Sequence, residues 1–126
     1  MQLYVNAGDE LPIYRQIMRQ ITDAIAGGRL QPGERLPSHR DLAEQLVIAP
    51  LTVKKAYDEL EREGLIDMQH GRGTFVAARL PAPDAARSRE RLRDAAQRLL
   101  SQAALARVPF TEVVTLLEEM QKGMEP

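Results

Sequence analysis

The chain has 126 residues, 44% of them hydrophobic and 28% charged, with a formal net charge of −1. Such a chain is one ordinary soluble domain, or a small domain with an appendage. No run nears the roughly 20 apolar residues of a membrane helix, "MQLYVNAGDE" lacks the build of a signal peptide, and zero cysteines exclude disulfides and thiolate metal sites, which fits a cytoplasmic protein that does not engage a membrane. Split by segment, residues 1–11 carry −2, residues 12–79 carry ten Lys and Arg against nine Asp and Glu, and residues 80–126 carry seven of each. No segment is a basic arm, so any binding to nucleic acid has to come from placed charges.

The first element in chain order is a short alternating stretch, "LYVN", which reads as a strand. From Pro12 the period changes: Ile13, Ile17, Ile21 and Ile25 recur every four residues, Tyr14 and Met18 widen the stripe, and Gly27-Gly28 stop it. That is an amphipathic helix opened by proline and closed by glycine. "LQPGERLP" follows as a turn centred on Pro-Gly. Ser38 then caps a short helix over His39–Leu46, with Asp41 completing a capping box and Leu42, Ala43 and Leu46 facing inward. A third helix, residues 50–63, places Val53, Ala56, Tyr57 and Leu60 on one face and ends at Gly64. "LIDMQ", "HGRG" and "TFVAA" read as strand, glycine-containing turn and strand, a hairpin.

"RLPAPDAARS" is a linker, and two further helices follow it. The first, residues 84–106, carries Leu92, Ala95, Ala96, Leu99 and Ala103 in register, and the second, residues 109–122, carries Phe110, Val113, Val114, Leu117 and Met120. The predicted fold is mostly α with a small β-hairpin: a winged helix-turn-helix over residues 1–79 and a two-helix tail over residues 80–126. Each tail helix has one apolar stripe, and pairing with a second copy of the tail is the economical way to cover both. Leu92, Ala96, Leu99, Ala103, Phe110, Val113, Val114, Leu117 and Met120 are the expected homodimer contacts; a hairpin folded back on its own winged helix is the alternative.

"LPSHRDLAEQL", "TVKKAYDELEREGLI" and "HGRGTFVA" resemble, in that order, the N-terminal domain of GntR-family transcriptional regulators. The short two-helix tail resembles the YtrA-type subfamily, bacterial repressors that dimerise through such a tail. The resemblance implies a dimeric repressor that occludes a promoter by binding double-stranded DNA at an inverted repeat, with genes of this type often lying beside transporter genes. Carried over position by position, it assigns DNA contact to Arg40, to Ala49, Pro50, Leu51 and Thr52 at the tip of the recognition helix, and to His70, Gly71, Arg72 and Thr74 at the wing; Ser38 and His39 beside Arg40, and Lys54 and Lys55 in this winged-helix context, complete the expected contacts. On its own residues Arg40 could instead pair with Glu44, and Lys54-Lys55 could be plain solvated surface.

The sequence departs from the family in the helix-turn-helix itself. Val47 stands where glycine is common, and Ala49-Pro50-Leu51 where YtrA-type proteins often show Asn-Pro-Asn. A positive φ at a β-branched valine is strained, so the turn is expected to take another conformation. Ala49 offers no capping oxygen, a loss of about 0.5–2 kcal/mol. On a wheel of 100° per residue from Val53, Leu51 and Lys55 fall at about 160° and 200°, opposite the core set, but Asp58 falls at about 140°. Only the first turns can therefore lie deep in a groove, where Lys55 donates to guanine or phosphate and Leu51 packs on a thymine methyl. A Leu51 buried against the N-terminus or another subunit is the competing reading.

Other functions find less support. Two histidines, His39 and His70, make neither a metal site nor a catalytic set, so no metal, no cofactor and no enzyme activity are expected. Gly71-Arg72-Gly73 lies between strands with no helix after it, unlike a nucleotide loop. A winged helix used only for protein contacts leaves Arg40, Lys54, Lys55 and Arg72 unexplained. MocR-type regulators join a similar domain to an aminotransferase-like domain holding pyridoxal phosphate, and this chain would then be their N-terminal fragment. A small-molecule effector, if one exists, would sit at the dimer interface or between tail and DNA-binding domain, since the tail cannot enclose one.

Overall fold

A computed structural model describes residues 1–124. The element order is α1 (Ile13–Ala26), β1 (Arg35–Leu36), α2 (His39–Leu46), α3 (Pro50–Arg62), β2 (Ile66–Gln69), β3 (Gly73–Val76), α4 (Ala85–Leu105) and α5 (Phe110–Met124). Two compact units divide the chain, Met1–Pro81 and Ala82–Pro126. No helix among the described residues is long and apolar enough to cross a membrane.

The first unit is a winged helix. Its core gathers Ile17, Ile21, Ala24 and Ile25 of α1, Leu42 and Ala43 of α2, and Val53, Ala56, Tyr57 and Leu60 of α3, closed by Leu30, Leu36, Ile66 and Val76. The three-residue spacing between α2 and α3 leaves no slack, so the apolar faces of the two helices meet in the same core. Two polar anchors set the wing and the helices in place. The Tyr57 hydroxyl donates to the Pro37 carbonyl at 2.7 Å, and the Met68 amide donates to Glu61 Oε2 at 2.7 Å. Burial pushes the Tyr57 hydroxyl well above the usual phenol range.

The hairpin is part of a three-stranded sheet in the order β1-β3-β2. β3 pairs antiparallel with β2, Ile66 opposite Val76 and Gln69 opposite Gly73, and with β1, Arg35 opposite Phe75 and Leu36 opposite Thr74. β1 was not expected from the sequence, because a two-residue strand has no period to read. Conversely, the expected strand at "LYVN" is absent. Leu3 and Val5 pack on the core, and the side-chain amides of α1 replace a ladder. Gln20 accepts from the Tyr4 amide at 3.0 Å and donates to its carbonyl at 2.6 Å, and Gln16 does the same for Asn6 at 2.8 and 2.9 Å.

The α2–α3 turn corrects a second expectation. Val47 adopts the left-handed conformation, φ 56° and ψ 51°, and closes α2 with the bond from the Ile48 amide to the Ala43 carbonyl at 3.0 Å. The same motif closes α3, where Gly64 supplies the left-handed residue at no steric cost and the Leu65 amide reaches the Leu60 carbonyl at 3.0 Å. A valine there stores about 1–3 kcal/mol of strain, held by the packing of the two helices it joins.

The second unit is a helical pair. Asp84 caps α4 by accepting from the Arg87 amide at 3.1 Å, and Arg107, also left-handed at φ 57°, turns the chain toward α5. Among its described residues only Val113 is buried, while Leu92, Leu100, Leu105, Phe110, Leu116, Leu117 and Met120 are exposed. Val113 is therefore covered within the described unit, and Leu99, Ala103 and Val114, also expected at the dimer contact, are half-buried.

Candidate nucleic-acid interface

Three elements converge on one cleft. His39 at the start of α2, Lys54 and Asp58 on α3, and Met68 to Thr74 of the wing line it together, with Arg35 of β1. The local reasons differ for each wall. Ser38 Oγ accepts from the Asp41 amide at 3.1 Å, which starts α2 immediately beside the wing. Pro50 opens α3 at a first-turn position where its missing N–H costs nothing, and Ala49 makes no side-chain cap. The wing turns on Gly71 at φ 77°, closed by the Arg72 amide bonding the Gln69 carbonyl at 3.0 Å.

Most of the residues picked from sequence lie at the surface. Arg40, Ala49, Pro50, Leu51, Lys54, Lys55, His70, Gly71 and Arg72 are exposed, and His39 and Thr52 are half-exposed. Leu51 is 77% exposed, so nothing among the described residues of its own unit buries it. Ser38 is exposed too, but its hydroxyl is committed to the cap. Thr74 is the exception. It is only 7% exposed, because in β3 it stands between Leu36 and Met68, and this makes it a sheet residue rather than a wing-surface contact.

The charges are arranged unevenly. Lys54 bonds Asp58 at 2.9 Å, an exposed i,i+4 pair of the kind worth a few tenths of a kcal/mol, about 0.3–0.5. Arg40 forms no ion pair among the described residues, so the alternative pairing with Glu44 is not made. The Lys55 ammonium sits 4.1 Å from the centroid of the Tyr14 ring, and Arg15 Nε donates to the Tyr14 hydroxyl at 3.2 Å. Tyr14 therefore joins the foot of α1 to the recognition helix, which its place on the apolar stripe of α1 did not reveal. Arg35 was also missed, since a lone arginine after a Pro-Gly turn carries no local signal. No cluster able to hold a metal ion occurs among the described residues.

This geometry agrees with what the chain resembles. The family described as bacterial regulatory proteins, gntR family, matches residues 13–76. The HTH-type transcriptional repressor YtrA of Bacillus subtilis is 43% identical over 75 residues, covering 60% of this chain and 58% of that protein, little more than half of its length. The structure of a transcriptional antiterminator from Listeria monocytogenes superposes with a TM-score of 0.76 at 30% identity, over 98% of this chain and 92% of that one. That of AraR(DBD) in complex with operator ORX1 gives a TM-score of 0.53 at 32% identity, over 60% of this chain and 93% of that one. The chain belongs to the GntR family of bacterial regulatory proteins.

Proposed function

We propose that the protein is a dimeric, sequence-specific DNA-binding repressor that occludes a promoter at an inverted-repeat operator. The observation that carries this reading is the shared cleft: β1, α2, α3 and the wing present Arg35, His39, Lys54, His70 and Arg72 against a single acid, Asp58, which is tied to Lys54. A duplex fits such an edge with the exposed first turns of α3 in the major groove and the Gly71 tip against the neighbouring backbone. AraR(DBD), with its operator, shares this fold, which supports the same docking here.

Arg40 and Lys55 are the phosphate or guanine donors in this scheme, and the exposed Leu51 reads a thymine methyl. The tail supplies symmetry. Its exposed Leu92, Phe110, Leu117 and Met120 form an apolar surface, and covering them with a second tail sets two recognition helices on two half-sites.

Selection of bound sequences from random DNA tests the scheme, repeated with Arg40→Ala and Leu51→Asn and at two salt concentrations. An inverted repeat is expected from the native chain. Arg40→Ala should weaken binding to all sequences, and Leu51→Asn should relax one thymine position, a change of about 1–3 kcal/mol at that base. Equal, weak binding to every sequence would favour a protein-interaction role instead.

A further inference from the structure

We infer that Arg35 is a backbone clamp, contacting a phosphate of the DNA strand that crosses the cleft between α3 and the wing. The inference rests on the DNA-binding reading above and adds to it a residue from a strand that is neither recognition helix nor wing tip. When a helix occupies a major groove and a wing the adjacent minor groove, one sugar-phosphate strand separates the two grooves. That strand must pass over whatever lies between the helix and the wing. Here the space is the cleft lined by Lys54 and Asp58 on one side and Met68 to Thr74 on the other, and Arg35 lines it from β1.

Three features show that the guanidinium is placed there rather than free. β1 pairs Arg35 directly opposite Phe75, so the two side chains share a face of the sheet. The Arg35 Cζ lies 5.9 Å from the centroid of the Phe75 ring, within reach of a cation–π contact. A Cβ at Gly73 would come within 3.1 Å of both Arg35 Nε and Nη2, so the absence of a side chain there leaves room for the guanidinium against the wing backbone. Gly73 also has φ 127°, which an L side chain rarely adopts. The two wing glycines thus do different work: Gly71 turns the hairpin into open space, and Gly73 seats an arginine.

Arg35 remains exposed and makes no ion pair among the described residues. Its neighbour in the cleft, Lys54, is already bonded to Asp58 at 2.9 Å. A planar, five-donor cation lining the cleft, with no ion pair among the described residues, is suited to a phosphate rather than to a base edge. The contact is therefore sequence-independent and dependent on salt.

The test measures affinity against salt concentration for the native chain, Arg35→Ala, Arg35→Lys and Phe75→Leu, with Arg40→Ala as the reference, on the selected operator and on unrelated duplex. Arg35→Ala is expected to lose about fivefold to twentyfold on both DNAs alike and to lower the salt slope by about one. Arg35→Lys should keep the slope at a smaller loss, and Phe75→Leu should keep the slope while weakening binding by about twofold to fivefold, because only the seating is lost. Arg35→Lys also guards against misfolding, since its charge is retained. Unchanged affinity and slope in Arg35→Ala, beside a weakened Arg40→Ala, would overturn the clamp and leave the DNA-binding reading standing. Failure of the native chain to bind any duplex overturns both.

Discussion

The winged unit and the tail answer the same physical demand in opposite ways. In the first, fourteen apolar residues close one core, and no buried side-chain polar atom among the described residues lacks a hydrogen-bond partner. In the second, two helices spanning residues 85–124 bury Val113 and, among the described residues, leave seven large apolar side chains exposed. A segment that buries so little cannot offset the entropy of ordering its chain. The winged unit has a closed core of its own, whereas the tail leaves an apolar surface, for which a second copy is the proposed cover.

Substitutions test the two units separately, and the largest effect belongs to the core. Ile21→Ala, at a site with no solvent exposure, should cost about 2–5 kcal/mol in urea unfolding. A loss far below that range would mean that the winged unit is not close-packed. Next comes the tail. Phe110→Glu should leave the melting of the winged unit unchanged, yet yield monomers at tens of micromolar by sedimentation and lower operator affinity about 100-fold. Dimers persisting in this variant would show that the exposed stripe is not the contact.

A smaller effect is expected from a polar anchor of the winged unit. Tyr57→Phe removes the 2.7 Å bond to the Pro37 carbonyl and should cost about 1 kcal/mol at neutral pH. Burial raises the folded-state pKa of Tyr57 above that of the unfolded chain. Its contribution is therefore complete below about pH 10 and lost as pH climbs toward the folded value. Alkaline titration of stability should show a steeper fall in the native chain than in Tyr57→Phe. The smallest effect has the opposite sign. Val47 is 88% exposed, so Val47→Gly gives up no packing and relieves the left-handed strain, raising stability by about 0.5–1 kcal/mol. A destabilised Val47→Gly would mean that the valine makes a contact outside this chain's own fold.

What could be read in advance follows from how local each signal is. The period of Ile13 to Ile25, the Ser38 cap, the Pro50 opening and the Gly64 stop each act within one turn of helix, so α1, α2 and α3 stand where their residues place them. Both sides of the wing alternate around a glycine turn and were equally legible. By contrast, the turn at Val47 resisted reading because conformational preference argues against what packing imposes. Gly64 and Val47 end their helices with one motif, but only the glycine announces it.

The helices and the hairpin could be read from the sequence alone, because periodicity, caps and turns are properties of neighbouring residues. Only the tertiary structure decided the third strand, the burial of Thr74, the amide clamps on Tyr4 and Asn6 and the seat of Arg35. Each of these joins residues far apart in the chain. Arg35 and Gly73 lie on either side of α2 and α3 in the chain, and no local pattern records their approach.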